Sequence, residues 1–418
     1  MKTPRDEAHT LKARIAAAIV GAAVALVLAA VGALAPGLPP IALAGLGLAL
    51  AAGLAAAVAR GVDKDLDRLT AEASDKDVME DALGKFVHSR YVSTLMLDPT
   101  ALEPGGVQKT VTVLMSDLRG FTGLVERYPA DEFIELLNSY LGRMADVVSR
   151  HGGNVNEFIG DAVLALFGAR DGDFHDPLEA VACAADMQQE LTRFNTEHPQ
   201  HPDLEMGIGL ATGTVIVGNI GSERRLKFGV VGDTVNLAAR VESYTVGGEV
   251  MLADSTHELV QKGVEAKGPH SVTAKGKSEP IHIWSLQSVG PPHDLIVPGP
   301  AGVGELFAVE FQAYVFKVAG KHVAKVPFEA SLTGLSADAA DLVCAAESLA
   351  LFDDVKLRFD PPEGAPVEQV YGKIVAAEDL PDGRRRQRIR FTSVPDPARL
   401  GALLPLTLTP APDPPPAG

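Results

Sequence analysis

Two aspartates, each beside a short apolar strand, are the residues of this chain best placed to do chemistry. Asp117 follows the alternating apolar residues of segment 111–115, and Gly120 then allows a turn. Asp161 follows Gly160 between two apolar runs, a pattern typical of a tight hairpin. If the strands are neighbours in one sheet, the two carboxylates converge and repel each other unless a divalent cation lies between them. Because hard oxygen ligands suit Mg²⁺ or Mn²⁺ carrying phosphate, the pattern predicts a metal-dependent phosphate site.

Either aspartate alone has a simpler interpretation. An Asp at a strand end is usually a turn or helix-cap residue, and a Gly-Asp hairpin needs no function. The two together favour a shared site. The backbone amides of the turn at 118–122, including those of Gly120, Phe121 and Thr122, could bind the same phosphates.

Four segments taken together resemble the class III nucleotide cyclases, the adenylyl and guanylyl cyclases. Segment 116–122 reads Ser-Asp-Leu-Arg-Gly-Phe-Thr, and segment 158–161 reads Phe-Ile-Gly-Asp. Segment 231–243 reads Val-Gly-Asp-Thr-Val-Asn-Leu-Ala-Ala-Arg-Val-Glu-Ser, and segment 274–276 reads Ala-Lys-Gly. They occur in the family's order, and the resemblance covers roughly residues 85–288.

The resemblance implies an α+β catalytic domain at residues 101–288, built on the ferredoxin-like sheet of the cyclases. Apolar periodicity predicts helices at 130–151 and 177–195, and two separate strands at 206–212 and 215–220. A further helix is predicted to open at Gly232, with Asp233 as its N-cap.

The resemblance also implies roles for individual residues. Asp117 and Asp161 would bind two ions of Mg²⁺ or Mn²⁺ per site, with the Leu118 carbonyl as an additional ligand. Asn236 would position the ribose, and Arg240 would neutralise the phosphate in the transition state. Their spacing of four residues places both on one face of a helix.

Three further positions would contact the nucleotide. Lys275, in a Lys-Gly turn, matches the lysine that holds the β- and γ-phosphates. The base-reading pair is Glu157 and Gly229, which departs from the Lys and Asp or Thr of the adenylyl pattern. A carboxylate at 157 accepts from guanine N1–H and N2–H₂, which favours GTP; Gly229 offers no side chain, and bacterial relatives with an irregular pair are often adenylyl cyclases. ATP and GTP both remain open as substrates.

Segments 15–35 and 41–59 are apolar, uncharged and long enough to cross a hydrocarbon layer of roughly 30 Å. They predict a two-pass anchor in the inner (plasma) membrane, the alternatives being a signal peptide or a buried Ala-rich hairpin. Basic residues lie in segment 1–14 and just after the second span, so both termini are expected in the cytoplasm. Segment 60–100 reads as a signalling helix, with its apolar face over 62–95, followed by a linker.

Composition restricts the partners. The formal net charge of −17 argues against binding to nucleic acid, because phosphate backbones need a basic surface. The chain has only two cysteines, Cys183 and Cys344, both in apolar surroundings. They are predicted to be core residues in a reducing compartment.

The C-terminal part predicts a second domain. A Pro/Gly-rich linker at 289–303 precedes β-branched and alternating segments at 304–400, which indicate a small β-barrel, and the Pro-rich tail at 401–418 is expected to be disordered. Ser331-Leu-Thr-Gly334 resembles the motif of PilZ domains, which implies cyclic di-GMP as a ligand. The motif departs from that family at Ala330, and no Arg-x-x-x-Arg pair precedes it. The arginines of 384–390 are instead expected to form a solvated strand face.

The sequence thus predicts a membrane-anchored class III cyclase that makes cAMP or cGMP and pyrophosphate by two-metal catalysis for intracellular signalling. The family resemblance implies a homodimer with its sites at the dimer interface. The alternative is a catalytically inactive cyclase-like module that binds a nucleotide. A diguanylate cyclase is disfavoured because its Gly-Gly-Asp/Glu-Glu-Phe signature is missing from the sequence.

Overall fold

A computed structural model of the 418-residue chain describes Ala49, which is helical, and most of residues 104–404. The described ranges are 104–125, 128–169, 176–222, 225–272, 280–300, 304, 306–319, 322–345, 349–361, 367–394 and 396–404. The predicted membrane spans (Ala49 apart), the signalling helix, Lys275 and the C-terminal tail beyond 404 lie outside these ranges. Within them, no helix has both the length and the hydropathy needed to cross a membrane.

In the described residues, the part predicted to be catalytic is a nine-stranded sheet, mainly antiparallel, in the order β2-β3-β1-β4-β6-β8-β7, with β5 paired to β4 and β9 to β8. The strands are β1 (Gly105–Leu118), β2 (Asn154–Ile159), β3 (Ala162–Phe167), β4 (Met206–Ser222), β5 (Arg225–Val231), β6 (Val250–Ala253), β7 (Val264–Val272), β8 (Ile281–Val289) and β9 (Leu295–Ile296). The central position of β1 and β4 brings the ends of several strands to one region. The predicted α+β fold of the catalytic domain is confirmed.

Helices cover both faces of this sheet. They are α1 (Phe121–Val125), α2 (Ala130–Arg150), α3 (Pro177–Glu197), α4 (Asp233–Ser243) and α5 (Asp254–Val260). Alternation along β1 separates two cores: Leu114 packs with Tyr140 of α2, whereas Val113 packs in the cluster that contains Val241 of α4. Side chains alternate between the two faces of a sheet, and Asp117 is four residues after Val113. Asp117 therefore lies on the α4 face.

The two strands predicted at 206–212 and 215–220 are one strand, β4, and that prediction is wrong. The pairing with β1 continues through the expected break, with Gly213 opposite Val111 and Thr214 opposite Thr110. Gly213 is required for a different reason, since a Cβ there would lie 2.6 Å from Oγ1 of Thr234 in α4. The glycine allows a close approach of helix to strand and does not end the strand.

Helix α4 rests directly on β4. A Cβ on Gly209 would lie 2.2 Å from the Glu242 nitrogen and 2.6 Å from the Ala238 carbonyl oxygen, so only glycine permits this contact. The predicted N-cap is wrong by one residue: Gly232 occupies the cap and Asp233 begins the helix. An acid in the first turn still interacts favourably with the helix dipole.

The C-terminal domain is a closed six-stranded barrel, which confirms the predicted barrel. The described strands of this domain are the six ring strands and the short β11: β10 (Phe307–Ala319), β11 (His322–Val323), β12 (Phe328–Leu335), β13 (Ala339–Ala345), β14 (Asp354–Asp360), β15 (Val367–Asp379) and β16 (Arg384–Ser393), followed by α6 (Pro397–Gly401). The order β10-β12-β13-β16-β15-β14 closes through β10 and β14, while β11 pairs only with β10. Closure leaves the six ring strands without an open sheet edge.

Two smaller expectations meet different outcomes. Cys183 and Cys344 are free and buried, as predicted. The segment predicted as a linker, 289–303, contributes to the catalytic sheet, because Leu295 and Ile296 pair with β8 and Val297 is buried in the core below α3.

Candidate active site

The chain folds so that Asp117 and Asp161 meet. Strand β1 pairs with β3, with Ser116 opposite Val163, and the tight turn before β3 has Gly160 at φ +67°. The Leu118 amide donates to Oδ2 of Asp161 at 3.2 Å. Burial, and next the charge of Asp117, raise the pKa of Asp161 to about 6. The two strongest carboxylate candidates of the sequence are therefore neighbours.

This donor set fits a divalent cation. The charge of Asp117 helps to raise the pKa of Asp161, so positive charge is favourable here, and carboxylate oxygens are the ligands that Mg²⁺ and Mn²⁺ prefer. The side chain of Asp117 keeps 39% of its surface exposed, which leaves room for an ion and its phosphate ligands. The predicted metal site thus has suitable groups in the right place.

The turn after β1 offers fewer free amides than predicted. The Leu118 amide is used by Asp161, and the Arg119 amide donates to the Glu205 carbonyl at 2.8 Å. The remaining amides, those of Gly120, Phe121 and Thr122, lie at the start of α1, and Gly120 has φ +68°. The predicted phosphate binding by the turn is therefore limited to the amides of this short stretch.

Arg119 is a site residue that the sequence analysis missed. Its guanidinium pairs with Glu242 of α4, donates to Thr245 Oγ1 at 2.6 Å and lies 3.7 Å from Asp117. Burial raises the pKa of Glu242 to about 7, an effect that the Arg119 charge opposes and the Asp117 charge increases. The ion pair of Arg119 with Glu242 joins α4 to the turn at 118–122, called the metal turn below because it follows the predicted ligand Asp117.

Asn236 and Arg240 lie on α4, as predicted, with the Asn236 side chain exposed. In the part of the chain that the structure describes, no hydrogen bond or ion pair joins either residue to Asp117 or Asp161. The two halves of the predicted site therefore lie on neighbouring elements, and no hydrogen bond or ion pair of the described residues joins these two pairs of side chains.

The base-reading pair has an unexpected partner. Glu157 on β2 forms an ion pair with Lys227 on β5, two residues before Gly229. Gly229 is buried, and a Cβ there would meet only Ile220 Cδ1, at 3.5 Å. Sequence analysis missed Lys227 because the pair joins strands about 70 residues apart in the chain.

One other group of described side chains is arranged so that it could hold a metal ion. His151 at the end of α2, Glu179 at the start of α3 and His293 before β9 present ligand atoms within 4.8 Å of one another. The second ring nitrogen of His151 lies 3.2 Å from Asp186. None of these residues was predicted to bind metal, and they come from elements other than those carrying Asp117 and Asp161.

The arginines of β16 are mostly engaged within the barrel. Four of these arginines form ion pairs there: Arg384 with Asp382, Arg385 with Asp379, Arg386 with Glu378, and Arg388 with Asp341. Arg390 is different: it is only 5% exposed and pairs with Glu205 of the catalytic domain. The predicted solvated face therefore excludes Arg390, because the barrel packs against the catalytic domain there.

This part of the chain is similar to known nucleotide cyclases. Residues 106–288 match the adenylate and guanylate cyclase catalytic domain family. The adenylate cyclase of Anabaena cylindrica is 31% identical over 229 residues, which are 50% of this chain and 43% of that protein. The terminal-differentiation-specific adenylate cyclase of Dictyostelium discoideum is 30% identical over 217 residues, 50% of this chain and 10% of that protein.

The guanylyl cyclase Cya2, known from a crystal structure, is 45% identical in sequence to this chain. The structural match has a TM-score of 0.45 and covers 46% of this chain and all of that one. The chain spans less than half the length of either adenylate cyclase named above. The residues that build the carboxylate site lie within the family match, so residues 106–288 of this chain form a catalytic domain of the adenylate and guanylate cyclase family, the class III nucleotide cyclases.

Proposed function

We propose that the chain converts ATP or GTP to the 3′,5′-cyclic nucleotide and pyrophosphate for intracellular signalling. The ribose 3′-oxygen attacks the α-phosphorus, the bond to the bridging oxygen of the β-phosphate breaks, and pyrophosphate leaves. The observation that carries the proposal is the meeting of Asp117 and Asp161 at the end of β1, within a domain that matches the cyclase family. Charge develops on both the attacking and the leaving oxygen, so a site of this kind needs cations and cationic donors.

Asp117 and Asp161, with the Leu118 carbonyl, would hold two ions of Mg²⁺ or Mn²⁺. When bound, these ions supply positive charge to the attacking oxygen and to the departing phosphate. The Leu118 amide keeps the Asp161 carboxylate oriented, and Arg119 holds the turn against α4. The amides of Gly120 to Thr122, together with Lys275, would bind the β- and γ-phosphates.

The site is proposed to form between two chains. Asn236 and Arg240 are not joined to the carboxylates within one described chain, and Asn236 is exposed, as expected if a second copy receives them. A head-to-tail homodimer then contains two equivalent sites. In each of them, Asn236 orients the ribose and Arg240 neutralises the phosphate of the nucleotide bound to the partner's carboxylates.

The base remains open between adenine and guanine. A free Glu157 carboxylate would accept from guanine N1–H and N2–H₂, but its pairing with Lys227 occupies part of that capacity. The relatives are named both adenylate cyclases and a guanylyl cyclase. Glu157 and Gly229 are proposed to form the base-reading pair in either case.

We also propose a two-pass anchor in the inner (plasma) membrane, with both termini in the cytoplasm. The support is the apolar composition of 15–35 and 41–59 and the basic residues flanking them. The helix at 62–95 would then carry changes in the anchor to the catalytic dimer.

Product analysis tests the activity. The purified full-length chain is incubated with Mn²⁺ and either ATP or GTP, and the cyclic nucleotide and pyrophosphate are quantified. Equal amounts of both products are expected for at least one triphosphate. Nucleotide binding without any product, in Mn²⁺ and in Mg²⁺, would favour the inactive nucleotide-binding module instead.

A further inference from the structure

A buried lysine of the barrel reaches the catalytic helix that carries Asn236 and Arg240. Lys373 on β15 is only 3% exposed, and its Nζ donates to the carbonyl oxygen of Ser243 at 2.8 Å. Ser243 is the last residue of α4. A cation at this position satisfies a carbonyl that has no partner within the helix and interacts favourably with the helix dipole.

The other bonds of Lys373 stay inside the barrel. Nζ lies 2.6 Å from Oδ1 of Asp354 and 3.5 Å from the Phe352 carbonyl oxygen, so its three N–H groups have three acceptors. A buried ammonium group needs such partners, because an unsatisfied charge in the interior is strongly unfavourable. Lys373 therefore joins the barrel to α4 by a direct hydrogen bond.

Phe352 makes a second contact at the same end of α4. It is 7% exposed, belongs to the same apolar cluster as Val241, and packs edge-on against Tyr244, the C-cap of α4, with ring centroids 6.3 Å apart. Its φ of +67° is rare for a bulky residue and persists only where the surroundings hold it. Its amide donates to the Ile374 carbonyl at 2.8 Å, next to Lys373.

The end of β16 contacts the metal turn. Arg390 pairs with Glu205 at 3.1 Å, and the Glu205 carbonyl accepts from the Arg119 amide. A Cβ on Gly120 would lie 3.7 Å from the Thr392 carbonyl oxygen. A cavity of about 140 Å³ lies beside this contact and is lined by Arg119, Glu205 and Arg390 among others. The barrel thus contacts both α4 and the metal turn. Within the catalytic domain, Arg119 connects the metal turn to α4.

From these contacts we infer that the barrel fixes α4 relative to the metal turn, and that Lys373 is a positioning residue for Asn236 and Arg240. The inference rests on the proposed cyclase activity. Arg240 and Asn236 lie about one and two turns before Ser243, so a displacement of this helix end moves both of them. Displacements of this kind reduce turnover more than substrate binding, because reacting groups need alignment.

The test compares Lys373→Met with Asp354→Asn in the full-length chain. The first removes the bond to Ser243, and the second changes only the barrel-side partner while keeping an acceptor oxygen. Hydrogen–deuterium exchange of residues 240–246 should become at least about tenfold faster in K373M and stay near wild type in D354N. Unchanged exchange in K373M overturns the inference, whatever the activity.

Kinetics then separate positioning from general stability. K373M should lower kcat about tenfold with KM changed less than about threefold, and K373R, which keeps the charge, should recover part of that loss. In an Arg240→Ala background, the further loss of kcat caused by K373M should shrink to about threefold or less. Both changes act through the Arg240 side chain, so their effects should not add. Equal losses in the two backgrounds overturn the positioning role.

Glu205→Gln serves as a second variant if K373M does not fold. It weakens the Arg390 contact at the partly exposed end of the interface and should speed exchange at residues 117–123 alone. Normal exchange there overturns the inference. A wild-type chain with no product from ATP or GTP refutes the proposed function, whereas the exchange measurements still decide whether the barrel holds α4.

Discussion

The Leu118 amide donates to the Asp161 carboxylate at 3.2 Å, so the tip of the β2–β3 hairpin is held against the end of β1. This bond orients one carboxylate oxygen and leaves the carboxylate beside Asp117, whose charge contributes to raising the Asp161 pKa to about 6. The proposed metal site therefore contains repulsion before any ion binds. Two predictions follow from that repulsion.

Asp161→Asn should abolish turnover and stabilise the metal-free chain. Asparagine can still accept from the Leu118 amide, so the hairpin geometry is retained while the charge is lost. Cyclic nucleotide formation in Mg²⁺ should fall below about a tenth of wild type. Without metal, the free energy of unfolding at pH 7.5 should rise by about 1 kcal/mol, a value reduced because the carboxylate is partly exposed. Activity above a tenth in Mg²⁺ would contradict the two-metal assignment.

Binding of Mn²⁺ should depend on the protonation of Asp161. Because the folded pKa of this carboxyl is raised to about 6, its contribution to stability is present at low pH and is lost as the pH rises through 6. Metal must displace that proton below pH 6, so the affinity should fall about tenfold per pH unit there and level off above about pH 7. Isothermal titration with Mn²⁺ at pH 5, 6 and 7.5 measures this. A flat affinity over that range would show that Asp161 is not a ligand.

The pair formed by Glu157 and Lys227 allows a controlled test of base choice. Glu157→Lys alone would place two lysines together, whereas the exchange E157K/K227E preserves an ion pair between β2 and β5. If Glu157 reads guanine, the exchange should shift the ATP-to-GTP ratio of kcat/KM toward ATP by about 5- to 150-fold, the range expected for one unsatisfied polar group.

Lys227→Met is the matched control for that exchange. It frees the Glu157 carboxylate and should move the ratio toward GTP, since the lysine no longer competes with guanine for the same oxygens. A ratio that stays constant in both variants would show that the Glu157 side chain does not face the base.

Local sequence patterns were sufficient to predict the carboxylates and the main helices. Asp117 and Asp161 could be placed because the alternation of β1 and the Gly160 hairpin are short-range features. The single strand β4 could not be predicted, because a glycine at 213 is typical of a break between two strands. The glycine is required there by the nearby Thr234 side chain, which leaves no space for a Cβ. Arg119, Lys227 and Lys373 were missed for a common reason: each interacts with a residue more than 65 positions away, which no local pattern records.

Complementation tests where the active site is assembled. One chain carries Asp117→Ala with Asp161→Ala, and the other carries Asn236→Ala with Arg240→Ala; each alone should be inactive. In a mixed head-to-tail dimer, one site receives all four changes and the other receives none. Random association gives about half heterodimers with one intact site each, so the mixture should recover about a quarter of wild-type activity. Association is verified by pulling down one tagged chain with the other. If the chains associate and the mixture remains inactive, the carboxylates and the α4 residues act within one chain, and the proposed control of activity through the distance between two catalytic domains is refuted as well.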